Sequence, residues 1–110
     1  MNDVFCQIVQ GKIPAKILFE NDKILAIEDI APKAKIHLLI FPKKHTSSSA
    51  NDETSNEILQ DVFDAARILA KKLKVNISGY RILTNVGDDA GQTINHLHFH
   101  LLAGEKLKNI

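Results

Sequence analysis

The sequence predicts an α+β domain, with a mainly antiparallel sheet of about five strands carrying one long helix and a short N-terminal helix. Three observations predict it. Short β-rich runs recur along the chain, only two stretches carry helical periodicity, and strands in succession with few helices between them favour antiparallel pairing. A length of 110 residues suits a single domain spanning 1–110 with one modest core, usually of two layers.

Val4, Phe5, Ile8 and Val9 fall at helical spacing, and Gly11 followed by Pro14 stops the turn, which predicts the short helix. Ala15 to Glu20 and Lys23 to Glu28 are β-rich runs separated by Asn21-Asp22, a two-residue hairpin turn. Asp29 to Ala34 is a connection, because Pro32 biases the residue before it away from helix and Asp29 is a good turn opener. His37 to Pro42 is short and apolar, a buried strand ended by its proline, and Ser47-Ser48-Ser49 reads as loop. Thr54 and Glu57 form a capping-box signature, after which Ile58, Leu59, Val62, Phe63, Ala66, Leu69 and Leu73 keep helical spacing. Lys71, Lys72 and Lys74 crowd the end of that helix, where cations complement its partial negative charge, and they read as a solvated terminus. Tyr80 to Val86 reads as a further strand, and Gly87 to Thr93 as a glycine-bearing loop without the lysine of a P-loop.

The loop leads to His96-Leu97-His98-Phe99-His100-Leu101-Leu102. Strict alternation reads as a half-buried strand, with His96, His98 and His100 on one face and Leu97, Phe99 and Leu101 on the other, against the core. At roughly 6.6 Å between neighbouring histidines, one metal ion is within reach of two of them and hardly of three. With five histidines in the chain, such spacing arises by chance on the order of once in a hundred sequences, so an incidental polar face is the weaker reading.

Fourteen basic and thirteen acidic side chains are spread along the chain for a net charge of +1, which predicts no nucleic-acid or anionic-membrane partner and favours a small one. The first residues lack the pattern of a signal peptide, no stretch nears membrane-spanning length, and a lone cysteine fits a reducing compartment. The expectation is a cytoplasmic protein.

The histidine run resembles the motif of the histidine-triad (HIT) superfamily, His-φ-His-φ-His-φ-φ with φ apolar. From Asp3 to about Gly104 the chain resembles the Hint branch of nucleotide phosphoramidases, through Phe5-Cys6-Gln7-Ile8, Ile13-Pro14-Ala15-Lys16, Asp29-Ile30-Ala31-Pro32, Pro42-Lys43-Lys44-His45 and Gly91-Gln92-Thr93. The resemblance implies a HIT-like fold and a purine nucleoside monophosphate bound across the sheet, its phosphorus attacked by the central histidine, His98. The main-chain carbonyl of His96 would hold the other nitrogen of that ring and fix its tautomer. His100 would lie near the phosphate oxygens, with His37 supporting the triad from behind. Asn85, Gln92 and Thr93 match polar positions on the phosphate or leaving-group side, with donors from the Gly91 loop. Asp29 matches the carboxylate that accepts from both ribose hydroxyls, while Phe5, Ile8, Ile30 and Leu39 match the apolar pocket for the base. For Phe5 and Ile8 plain helical core is an equal reading.

Histidine rather than glutamine at position 100 favours hydrolysis over nucleotidyl transfer, with a nucleoside 5′-phosphoramidate of AMP or GMP type as substrate. Hydrolysis of dinucleoside polyphosphates in the same superfamily is the alternative, since Gln92-Thr93 is shared with that branch. No cofactor is expected to be required. A different class is a non-enzymatic zinc or nucleotide-binding adaptor, because Cys6, His45 and His96 sit where some bacterial relatives hold zinc, with Asp3 in place of a second cysteine. The family forms homodimers, and a chain of this size gains burial by pairing.

Overall fold

The computed structural model describes residues 3–44 and 56–110. Helix α1 (Val4–Val9) leads into β1 (Ile17–Glu20), β2 (Ile24–Glu28) and β3 (Ile36–Pro42), followed by α2 (Asn56–Lys72), β4 (Tyr80–Leu83) and β5 (Phe99–Ala103). The strands form one sheet in the order β1-β2-β3-β5-β4, and every neighbouring pair is antiparallel. The expected class and the expected five strands are therefore present.

Strand alternation divides the core between the two faces of the sheet. Ile24 and Ala26 of β2, Leu38 and Ile40 of β3, and Phe99, Leu101 and Ala103 of β5 meet Val62, Ala65, Ala66 and Leu69 of α2. Leu25, Ile27 and Phe41 face the other way, against Phe5 of α1. The short helix covers only part of that second face, and His98 and His100 border the space beside it.

Several boundaries differ from the periodicity. β1 and β2 each start later than the β-rich runs, at Ile17 and Ile24. Their turn is longer than two residues, because the Asn21 side chain accepts from the N–H groups of Lys23 and Ile24. β4 stops at Leu83 rather than Val86, and a 3-10 turn over Asp88–Ala90 follows, closed by Gly91 in the left-handed region at φ 85°. That backbone is available to glycine without steric cost. Glu57 bonds the Lys23 ammonium at 2.7 Å, while Thr54, the other half of the expected capping box, lies outside the described residues, as do His45 and Ser47 to Ser49.

The largest correction concerns the histidine run. Leu97, Phe99 and Leu101 are buried on the α2 side as the alternation requires, but β5 begins only at Phe99. His96 and His98 precede the ladder. Side chains hold them instead: the Thr84 hydroxyl donates to the His98 carbonyl at 2.7 Å, and His98 Nδ1 donates to the His96 carbonyl at 2.7 Å.

Candidate active site

A cavity of about 390 Å³ opens between α1, the sheet and the loop after β4. Phe5, Ile8, Asp29, Ile30, Leu39, Asn85, Gly91, Gln92 and Thr93 all line it, together with His98 and His100. The Phe5 ring stacks on Phe41 with centroids 4.5 Å apart, as core, and also borders the cavity with its centroid 4.9 Å from that of the His98 ring. Ile30 is 99% exposed, an apolar side chain waiting at the rim. Val4, Ile13, Pro14, Ala15, Ile27 and Ile94 extend the apolar wall beyond the residues singled out in the sequence.

The hydrogen bonds around the histidines fix where the protons lie, because a backbone carbonyl only accepts and a backbone N–H only donates. His98 Nδ1 faces the His96 carbonyl and so carries the proton, which leaves Nε2 with its lone pair and no partner among the described residues. On His37, Nδ1 accepts from the Lys33 N–H at 3.0 Å, so the proton sits on Nε2. That Nε2–H donates to His100 Nδ1 at 2.9 Å, with Asp29 Oδ2 3.3 Å from the same nitrogen. His100 therefore holds its own proton on Nε2. The chain Lys33 N–H, His37, His100 ends in a fixed N–H donor on a ring whose centroid lies 5.4 Å from that of His98.

Burial pushes His37 below its ordinary value, with the Lys33 ammonium acting in the same sense and Asp29 opposing. Burial likewise lowers His100, assisted by its histidine neighbours. Both rings are thus held neutral, the form the relay requires.

Asp29, His37 and His100 also bring ligand atoms close enough together for a metal ion. The Lys33 N–H argues against one there, since it occupies His37 Nδ1 and keeps Nε2 protonated, whereas a metal would need Nε2 free.

His96 departs from the expectation that all three imidazoles line one site. It is fully buried and borders no part of the cavity. Its Nε2 donates to the Pro42 carbonyl at 2.9 Å, its Nδ1 lies 3.0 Å from Asp3 Oδ2, and Cys6 Sγ is 3.7 Å away. What His96 brings to the site is its main-chain carbonyl. Asp3 also caps α1 by accepting from the Cys6 N–H at 2.8 Å. Burial works against its charge, yet the bonds from Cys6 and His96 hold its carboxyl below the usual value, whereas burial pushes the Cys6 thiol up.

Asp3, Cys6 and His96 fit a metal better than the first cluster does, because His96 keeps Nδ1 for a ligand while Nε2 is held by a carbonyl. Oxygen, sulfur and nitrogen donors together suit zinc. An ion there would tie α1 to the chain before β5, away from the cavity, and supply structure rather than chemistry at phosphorus.

Gln92 also differs in detail from the expected phosphate contact. Its Oε1 accepts from the Gly87 N–H and its Nε2 donates to the Ile94 carbonyl, so both ends of the amide brace the loop. Thr84 was read only as a strand residue, and its bond to His98 follows from where β4 ends.

The sequence model of the HIT domain matches residues 10–107. The chain is 47% identical over 109 residues to an uncharacterized HIT-like protein of Buchnera aphidicola subsp. Acyrthosiphon pisum, covering 98% of this chain and 96% of that one. Among solved structures it is similar to a HIT family hydrolase from Clostridium thermocellum, with 40% identity, TM-score 0.92 and coverage of 99% and 96%. A histidine triad nucleotide-binding protein from Candida albicans is similar at 32% identity and TM-score 0.80, with coverage of 97% and 85%. With the triad, the fold and this match along nearly its whole length, the chain belongs to the HIT domain family.

Proposed function

We propose that this protein is a hydrolase of the Hint type that cleaves the P–N bond of purine nucleoside 5′-phosphoramidates through a nucleotidyl-His98 intermediate. The observation that carries the reading is the proton placement: His98 Nε2 is bare on the cavity side and His100 presents a fixed Nε2–H beside it. The names of the relatives from C. thermocellum and C. albicans, a hydrolase and a nucleotide-binding protein, support it.

In this reading the base lies in the apolar end between Phe5, Ile8, Ile30 and Leu39, and the ribose hydroxyls donate to Asp29. The Nε2 lone pair forms a bond to phosphorus as the bond to the amine breaks, and water then displaces His98 in a second step. In the first step the departing nitrogen takes a proton from solvent, and in the second the attacking water leaves its hydroxyl on phosphorus and returns a proton to solvent as the bond to His98 breaks, so both histidines end in their starting states. His100 donates to the phosphoryl group, where negative charge must be held in place. No step needs a metal, and activity should survive a chelator. Turnover of adenosine and guanosine phosphoramidates, compared with dinucleoside polyphosphates, tests the reading. Faster turnover of the polyphosphates would favour the other hydrolase branch, and nucleotide binding without product would favour a non-catalytic role.

Asp29→Asn keeps an oxygen for the Ala31 N–H, which Asp29 Oδ1 now accepts at 2.8 Å, and removes the charge that would meet the ribose. AMP affinity is expected to fall by roughly 1.5 to 3 kcal/mol, the range for hydrogen bonds to a charged group. A 2′,3′-dideoxy analogue should lose much less in a titration, and equal losses for both would reduce Asp29 to a turn residue.

We also propose that the protein pairs through β4. That strand is one edge of the sheet, β1 being the other, and it stays partly exposed along its length, an unpaired edge of the kind that proteins cover. A sedimentation mass of two chains at micromolar concentration is the expected result, and a mass of one chain would overturn it.

A further inference from the structure

We infer that the cavity beyond His100 is a leaving-group subsite that favours amines carrying a carboxylate, with Lys33 as the residue that sets the preference. The inference rests on the hydrolase reading above and adds to it which phosphoramidates are cleaved best.

A second cavity, of about 360 Å³, shares Asp29, Asn85 and His100 with the first. His98 lines only the first. In a displacement at phosphorus the attacking and leaving atoms stand roughly in line, so the departing group points away from His98 Nε2. His100, whose Nε2–H would meet the phosphoryl group, stands between the two spaces. A substrate with its nucleoside in the first cavity and its phosphorus between His98 and His100 therefore sends its amine into the second.

The walls of that space select for charge as well as shape. Leu83 and Leu102 supply an apolar floor, and Lys33 supplies the cation. The Lys33 ammonium has no ion-pair partner among the described residues, and it is near enough to help keep the His37 ring neutral. Asp29 is the opposing charge in the same cavity, but its Oδ1 already accepts from the Ala31 N–H and its Oδ2 lies 3.3 Å from His37 Nε2. With ribose hydroxyls added, that carboxylate is occupied from the nucleoside side. His37 and His100 are neutral. Asp29 keeps its charge but is engaged from the nucleoside side, so the charge left to meet an incoming leaving group is that of Lys33, and an anionic group on the amine pairs with it.

The test uses the whole protein and two adenosine 5′-phosphoramidates of nearly equal size, one of glycine and one of glycinamide, which differ in the charge of the leaving group. Because their amines also differ in basicity, the readout is the change in their ratio between the wild type and Lys33 variants. The ratio of their kcat/KM values, glycine over glycinamide, should be roughly 1.4- to 5-fold higher in the wild type than in Lys33→Met at low salt, the range of an exposed ion pair, and that difference should shrink at high salt. Lys33→Glu should lower the ratio further, below that of Lys33→Met. AMP binding by each variant checks that the first cavity is intact. Since the Lys33 N–H that holds His37 belongs to the backbone, both variants keep it. A ratio that is the same in the wild type, Lys33→Met and Lys33→Glu would overturn the subsite while leaving the hydrolase reading standing. No turnover of either compound would overturn that reading and the subsite with it. A second nucleotide is also an anionic leaving group, so diadenosine tetraphosphate is run alongside. If Lys33→Met slows only that compound and leaves the glycine-to-glycinamide ratio unchanged, the assignment to carboxylate amines fails.

Discussion

His98→Ala should leave a protein that folds and binds AMP but turns phosphoramidate over more than about a thousand-fold more slowly, since the substitution removes the attacking atom. Folding should survive because the ring borders the cavity and touches Phe5, whereas the core on the α2 side is carried by Leu97, Phe99 and Leu101. Loss of activity alone does not separate a nucleophile from a general base. Stereochemistry does, because two in-line displacements return phosphorus to its starting configuration and a single attack by water inverts it. Turnover of a phosphorus-chiral thio-analogue in isotopically labelled water should show retention, and inversion would rule out the nucleotidyl intermediate. Thr84→Val gives the graded version of the same experiment. It keeps the shape of the side chain but removes the hydroxyl that holds the His98 carbonyl before β5 begins. A loss of about ten-fold in kcat with little change in KM, recovered in Thr84→Ser, is the result expected if the bond aims the ring.

The part of this architecture that could be read from the sequence is the part set by local periodicity. Alternation put Leu97, Phe99 and Leu101 on the core side, and the 3.6-residue spacing found Val62, Ala66 and Leu69 on the buried face of α2. What periodicity could not show is that the histidine run begins outside the sheet. The bonds that hold His96 and His98 come from Asp3, Pro42 and Thr84, residues distant in sequence or just past the end of β4. For the same reason His96 looked like a third member of an open face, when its ring is buried and only its carbonyl reaches His98. The cavity residues were found through family resemblance, since nothing in spacing marks Asn85 or Thr93. Even the resemblance did not show that the amide of Gln92 is used within its own loop, or that the main chain at Lys33 dictates the tautomer of two histidines.

Asp3→Ala should cost about 2 to 4 kcal/mol in urea unfolding, a large share of the stability of a domain of this size. Two losses add in it. The first is the cap of α1, where Asp3 Oδ1 accepts from the Cys6 N–H, and a lost cap typically costs about 1 kcal/mol. The second is the partner of His96. Nε2 of that ring is committed to the Pro42 carbonyl, and Asp3→Ala removes the carboxylate that lies 3.0 Å from the fully buried Nδ1. Asp3→Asn should cost less, because an amide oxygen still caps the helix. Measuring both variants in chelator keeps any bound metal from masking the loss. The effect should also reach the active site, because the His96 carbonyl holds His98 Nδ1 and slack in one becomes misalignment of the other. Activity in Asp3→Ala, assayed well below the unfolding transition, should therefore fall through kcat more than through AMP affinity. A variant as stable as the parent would show that the Asp3–His96 pair contributes no net stability, and a variant that is less stable but fully active would show that the His96 carbonyl is held by the main chain alone.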